Sequence, residues 1–282
     1  MKRFRLQGYG TTTLAGSSFT LGSIVAGLLL TGVQAQAQQE EIVSSRVGPQ
    51  NPHTEPADFP EGDGALGSQG APHIPEPMLF DLVRPLGAAR GELEVNSLFE
   101  QPLNGGHMEW APEIEYAFAD GYAIEFELPF EGSELKEYKL ALQGTFGTLR
   151  GDSMIHGWQS ITYYERETDR VSADLLYLNG MELAPRWSTF NMVGLRRSNT
   201  EMGIDYLGLL NNSVFYDVSQ TLTLGLELNH EFDDKRWRAL VVPQVHYDMS
   251  QHVSIQFGGG RTRLTESDST EWFAAWRLIY TY

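Results

Sequence analysis

The sequence predicts an all-β protein: a transmembrane antiparallel β-barrel of about twelve strands behind an extended, disordered N-terminal stretch. Three observations carry that reading. From about Leu79 to the C-terminus, apolar and polar residues alternate with period two, which is the repeat of a strand and not of a helix. The alternating runs are about 9–12 residues long, enough to cross a bilayer, where soluble strands average roughly 5–6. Trp, Tyr and Phe gather near the ends of the apolar faces, as in the two interfacial belts of membrane barrels.

The chain begins like an exported protein. "MKRFR" is a positive start, Leu21 to Val33 is a 13-residue apolar run, and "AQA" at Ala35 to Ala37 is a small-residue cleavage site. Residues 1–37 are therefore expected to be a signal peptide. The apolar run is short for an uncleaved anchor. Cleavage after Ala37 would take the formal charge from −17 to −20, with 17 basic and 37 acidic residues left. Such a balance argues against a nucleic-acid partner. The chain has no cysteine, so it carries no disulfide framework and no thiol-linked N-terminal lipid.

Residues 38–78 differ in composition. Seven of the 13 prolines fall here, at positions 49, 52, 56, 60, 72, 75 and 77, and no apolar period is present. This predicts a periplasmic extension without regular structure. It reads as a linker, or more sharply as an arm that docks a periplasmic partner or plugs a pore.

The barrel region, 79–282, divides into strands at 91–99, 108–118, 121–130, 136–147, 157–166, 171–180, 186–197, 201–210, 219–231, 235–247, 252–264 and 270–282. The second puts Met108, Trp110, Pro112, Ile114, Tyr116 and Phe118 opposite Glu109, Glu113 and Glu115. The third puts Tyr122, Ile124, Phe126, Leu128 and Phe130 opposite Glu125 and Glu127. The ninth sets four leucines, at 222, 224, 226 and 228, against Glu227. In the tenth, Trp237, Val241, Val245 and Tyr247 face away from Arg238, Gln244 and His246. The last sets Trp272, Trp276, Leu278, Tyr280 and Tyr282 against Phe273, Arg277 and Ile279. An even count returns both ends of the barrel to one side of the membrane. Segments 148–158 and 205–218 have the weakest pattern and leave ten to fourteen strands open.

A turn recurs. "YDVSQT" at Tyr216 and "YDMSQH" at Tyr247 match closely, and "YAFADG" at Tyr116 holds the same place in an earlier hairpin. All three follow even strands, where the short periplasmic turns of a barrel fall. "HEFDDKR" and "TRLTESDSTE" then fall outside. The hairpin "YAFADGYAIEFELPF" resembles the outer-membrane barrel family of phenol-degradation-pathway transporters, and "LIYTY" resembles the terminal signature of Gram-negative outer-membrane barrels, with Tyr282 where Phe is usual. The resemblance implies an outer-membrane channel for small molecules whose last strand is read by the barrel assembly machinery. No cofactor or metal is expected.

With apolar faces turned to lipid, the inward set is Glu94, Glu109, Glu113, Glu115, Glu125, Glu127, Asp174, Glu227 and Glu231, with Lys139, Arg238 and Arg277, and Arg196 as a further basic candidate. Acids outnumber bases, which predicts a narrow, water-filled, acidic-walled lumen; a barrel filled by ion pairs is the alternative. The expected aromatic girdle is Trp110, Tyr116, Phe118, Tyr122, Phe130, Trp237, Tyr247, Trp272 and Tyr282.

Catalytic readings are weaker. "HVS" at His252 has the residue types of a lipid hydrolase but lies in the repeated turn, and His230 with Asp233 and Asp234 is half of a barrel-protease site. The expected protein is a non-enzymatic channel. A non-conducting scaffold whose arm binds a periplasmic partner comes second, and an outer-membrane hydrolase third.

Overall fold

The computed structural model describes residues 72–80, 82–200, 203–233, 237–264 and 270–282. The proposed signal peptide, most of the 38–78 extension and Asp234 lie outside them.

Twelve strands run in sequence order: β1 (Leu93–Pro102), β2 (Glu109–Ala119), β3 (Tyr122–Glu127, resumed at Phe130–Glu131), β4 (Glu134–Leu135 leading into Glu137–Leu149), β5 (Met154–Glu165), β6 (Arg170–Ala184), β7 (Trp187–Thr200), β8 (Gly203–Asp217), β9 (Leu222–Phe232), β10 (Trp237–Asp248), β11 (Val253–Leu264) and β12 (Thr270–Thr281). Each pairs antiparallel with its neighbours. β1 also pairs with β12, from Glu94 opposite Thr281 to Pro102 opposite Phe273, so the sheet closes on itself. Closure removes every free edge and satisfies the backbone inside a bilayer. The fold is a closed, twelve-stranded transmembrane β-barrel, with no helix among the described residues.

The start of β1, the end of β12 and the turns at 120–121, 150–153, 185–186, 218–221 and 249–252 share one rim, called here the terminal rim. The repeated turn keeps its hydrogen bonds in both copies. The N–H of Val218 donates to Leu222 O and that of Met249 to Val253 O, each at 2.9 Å. Ser219 and Ser250 accept from the backbone N–H groups of Thr221 and His252. One side chain thus closes each turn at the same place.

Eleven strands agree with the sequence reading to within a few residues. β8 is the exception: it runs to Asp217, seven residues beyond the expected end. The expected strand stops just before "NNS" at Asn211, but Asn212 donates to Asn191 of β7 at 2.8 Å and Asn211 to Glu227 of β9 at 3.3 Å. Their amides find partners across the ladder instead of ending the strand. In β4 a bulge falls between Thr145 and Gly147, and Gly147 takes φ 136°, open to glycine alone.

Tyr116, Phe118, Tyr122, Trp237, Tyr247, Trp272 and Tyr282 are exposed on the outer wall. Trp110 and Phe130 are half-buried because they stack in a row of rings. Trp276 lies 5.5 Å from Phe99, Phe99 lies 6.2 Å from Trp110, and Trp110 lies 4.5 Å from Phe130, all near-parallel. The row crosses the β12–β1 seam. Cross-strand aromatic pairs of this kind add about 0.5–1.5 kcal/mol each beyond burial.

Barrel pairing starts at Leu93. Residues 72–80 and 82–92 lie inside the barrel, and the contacts leave no other place for them. Ile74 packs on Gly180 of β6, Leu86 on Gly157 of β5 and Met78 on Gly258 of β11. Arg84 reaches Glu94 of β1 and Glu115 of β2, and its carbonyl accepts from Gln143 of β4. Residues 78–80 meet Glu227 of β9. A segment that touches seven strands of a closed barrel is enclosed by it.

Candidate functional site

The lumen is built from two unlike walls. Alternation along β1–β4 sends carboxylates inward in rows. Glu94, Glu115 and Glu125 face one another across β1, β2 and β3. One step along, Asn96, Glu113, Glu127 and Lys139 form the next row. Like charges directly opposite on a sheet repel, and a buried carboxylate needs a partner. The partners are specific. Arg84 pairs with Glu94, with Glu92 at 3.0 Å and with Glu115 at 3.8 Å. Lys139 pairs with Glu127 and with Glu125 at 2.8 Å. Arg277 pairs with Glu113, and its Nε donates to Asn96 Oδ1 at 3.0 Å.

Beyond this belt, toward the opposite rim, Arg196 donates two parallel bonds to Asp174, both 2.8 Å. It also reaches Glu231 at 3.1 Å, and Glu231 accepts from Arg238 at 3.2 Å. The guanidinium of Arg196 lies 5.5 Å from the ring centre of Tyr163. Two-bond carboxylate pairing is among the stronger ionic contacts. Glu109 is half-buried at that rim, across from Glu100 and Glu131.

The facing wall, β5–β8, holds most of the buried apolar side chains, with polar ones such as Gln159, Asn211 and Ser213 buried among them. Ile155, Ile161, Leu176, Leu178, Phe190, Met192, Leu209 and Phe215 are buried there with Leu82, Val83 and Leu86 of the inner segment. A second apolar patch joins Met78 and Leu79 to Leu240, Val242, Phe273 and Ala275. The inner segment is thus amphipathic: leucines and valine toward β5–β8, Arg84 toward β1–β2.

Glu227 is a different centre. Its Oε2 accepts from the backbone N–H of Met78 at 3.0 Å and of Leu79 at 3.1 Å, and its Oε1 from Phe80 at 2.7 Å. The amides of Asn211, Asn229 and Gln244 donate to the same carboxylate. Three successive N–H groups converging on an anion form a backbone nest. Here the anion belongs to the wall and the nest to the inner segment.

Of the expected lumen residues, Glu94, Glu113, Glu115, Glu125, Glu127, Lys139, Asp174, Glu227 and Arg277 are buried, and Glu231 and Arg238 are half-buried. The sequence reading did not single out Arg84, Glu92, Asn96, Gln143 and the N–H groups of residues 78–80. Arg84 sits in a stretch without periodicity, and a backbone donor has no residue-type signature. Burial alone would lower the pKa of Arg84; the charges of Glu94, Glu76 and Glu115 reverse that and hold it above the ordinary arginine value. The carboxylates of Glu113, Glu125 and Glu127 lie within 4.8 Å of one another, a spacing that could suit a cation. Lys139 and Arg277 supply positive charge at that place.

The catalytic candidates sit in other surroundings. His252 Nδ1 lies 3.0 Å from the Thr281 carbonyl and its ring packs on Tyr280, which ties the turn to the last strand. His230 stacks on Trp237.

A family model described as HAEPLYID-like matches residues 72–196, a span that takes in the inner segment together with most of β1–β7. None of the curated proteins matches the sequence. Solved structures share the fold at low identity. The KdgM porin aligns with a TM-score of 0.54 at 8% identity, covering 67% of this chain and 99% of the porin. The NanC porin gives 0.53 at 11%, covering 67% and 98%. An outer membrane channel of Pseudomonas putida F1 gives 0.54 at 12%, covering 72% and 99%. The KdgM porin has also been solved in complex with a disordered oligogalacturonate. The architecture here is that of outer-membrane, porin-like barrels.

Proposed function

We propose that this chain is a non-enzymatic outer-membrane channel for small molecules, with a narrow lumen in which acids outnumber bases. The observation that carries the reading is the belt of charges inside a closed barrel whose outer wall is apolar and aromatic. A protein that only needed to sit in the membrane could fill its interior with apolar side chains at lower cost, since buried ion pairs rarely improve on them. The likeness to porins supports a small-molecule channel, and the resemblance of the Tyr116–Phe130 hairpin to phenol-degradation-pathway barrels favours hydrophobic cargo. The acid excess disfavours a polyanion such as the sugar acid bound by the KdgM porin.

The rest of the reading follows from the export pattern. Cleavage after Ala37 releases the chain to the periplasm, the terminal rim faces the periplasm, and the assembly machinery reads the strand that ends at Tyr282. The expected partners are outer-membrane lipid, that machinery and a periplasmic protein bound by the part of the 38–78 extension that precedes the inner segment. The test is to insert the mature chain into a planar bilayer and record current. Discrete, cation-preferring steps are expected at neutral pH. Anion preference would overturn the acidic-lumen reading. Silence from a folded barrel would favour the second reading, a scaffold with a closed lumen, which the filled half at the terminal rim specifically supports.

A further inference from the structure

We propose that residues 72–80 and 82–91 form a removable plug, held by two latches and able to withdraw through the terminal rim as a hairpin. The proposal rests on the channel reading for its purpose, though not for its geometry. The first latch is Glu227, whose carboxylate gathers the N–H groups of Met78, Leu79 and Phe80. The second is Arg84, seated among Glu92, Glu94 and Glu115.

Three features distinguish a plug from a fixed core. First, none of the described residues from 72 to 92 joins a strand ladder. Their main chain is held by side chains, as in Gly87 N–H to Thr145 Oγ1 at 2.9 Å, and by a few backbone bonds at one end, where the Ala88 carbonyl accepts from Gly121 and Gly91 N–H donates to Ala117, so leaving opens no strand-to-strand pairing. Second, both ends lie at one rim. Gly91 N–H donates to Ala117 O beside the 120–121 turn, and Arg90 N–H to Asp120. At the other end His73 is exposed, and Ile74 packs on Gly180 of β6, a few residues short of the 185–186 turn. A hairpin that enters and leaves by one mouth can withdraw with the seam between β1 and β12 intact. Third, the wall is recessed to receive it: where Ile74, Leu86 and Met78 pack, the wall residues are Gly180, Gly157 and Gly258. Glycine there permits close approach. Withdrawal leaves a half-lumen with one wall rich in apolar side chains and one rich in carboxylates.

The chain has no cysteine, which permits a clean lock. Ile74 Cγ1 lies 3.0 Å from where a Cβ on Gly180 would sit, so the double variant Ile74→Cys with Gly180→Cys can form a disulfide. Its Cβ atoms need to be about 3.5–4.5 Å apart. The full chain is recorded in bilayers oxidised and then reduced. Separately, Leu82→Cys, at a buried plug position, is labelled with a water-soluble maleimide, alone and with Glu227→Gln. The expected results are low conductance when oxidised and larger or more frequent steps on reduction. Glu227→Gln should raise labelling about ten- to a hundredfold, the effect of losing one charge-assisted bond. Equal steps in both redox states, or labelling unchanged by Glu227→Gln, would overturn the plug. Faster labelling in a barrel that never conducts would keep the plug and sink the channel reading.

Discussion

At the scale of single residues, Lys139 is the most informative position in the belt. It is buried and pairs with Glu125 and Glu127 on the adjacent strand. Lys139→Ala would leave two neighbouring carboxylates without that cation, at an expected cost of about 3–5 kcal/mol. Urea unfolding in detergent, followed by gel mobility, would read it. Combining Lys139→Met with Glu125→Gln and Glu127→Gln should recover most of the loss, because neutralising a buried pair costs far less than breaking it. If the single and combined variants are equally unstable, the ion pairing is not what matters there. These carboxylates were legible in the sequence because alternation assigns every second residue to one face. Their partners were legible only where they too lay on strands: Lys139 and Arg277 were found, Arg84 was not.

At the scale of elements, the strands were the easiest feature to read and their interruptions the hardest. Period two located β1 to β12 because a lipid-facing wall demands apolar residues at every second position. It lost β8 at Asn211, where polar residues continue the ladder by bonding across it. It had no means of detecting residues 82–92, whose apolar side chains pack inside the barrel instead of outside. The last strand closes the barrel: the N–H of Tyr282 donates to the Leu93 carbonyl at 2.8 Å, and Tyr280 sits opposite Val95. Removing Tyr280–Tyr282 should abolish or sharply reduce the heat-modifiable folded band on a gel. A truncated chain that folds with full yield would show that the upper seam, Phe99 with Trp276 and Gln101 with Ala274, suffices.

At the scale of the whole molecule, the acidic lumen proposed above should have a field that favours cations while the carboxylates are ionised. As pH falls, protonation removes negative charge and leaves Arg84, Arg196, Arg238 and Arg277 charged. Cation preference should therefore decline from neutral to acid conditions, read as a reversal potential under a salt gradient. A preference that strengthens on acidification would contradict the charge count. The fold class and the two faces of the wall followed from composition and period. The filling of one half did not, because it depends on which segment the barrel encloses.

The clamp on residues 78–80 also has a consequence in time. Glu227 lies 149 positions along the chain from Met78, and Arg277 lies 181 from Asn96. Contacts between such distant parts of a chain form late, after the loop between them has been closed. The hairpin enters by one mouth only, so its seating need not wait for, or precede, the zipping of β1 to β12. Maturation should then show two clocks: a gel shift when the cylinder forms, and a slower loss of maleimide reactivity at Leu82→Cys as the interior fills. A single shared rate would mean that the strands wrap around the segment as they assemble, with the chain's own beginning serving as the mandrel for its end.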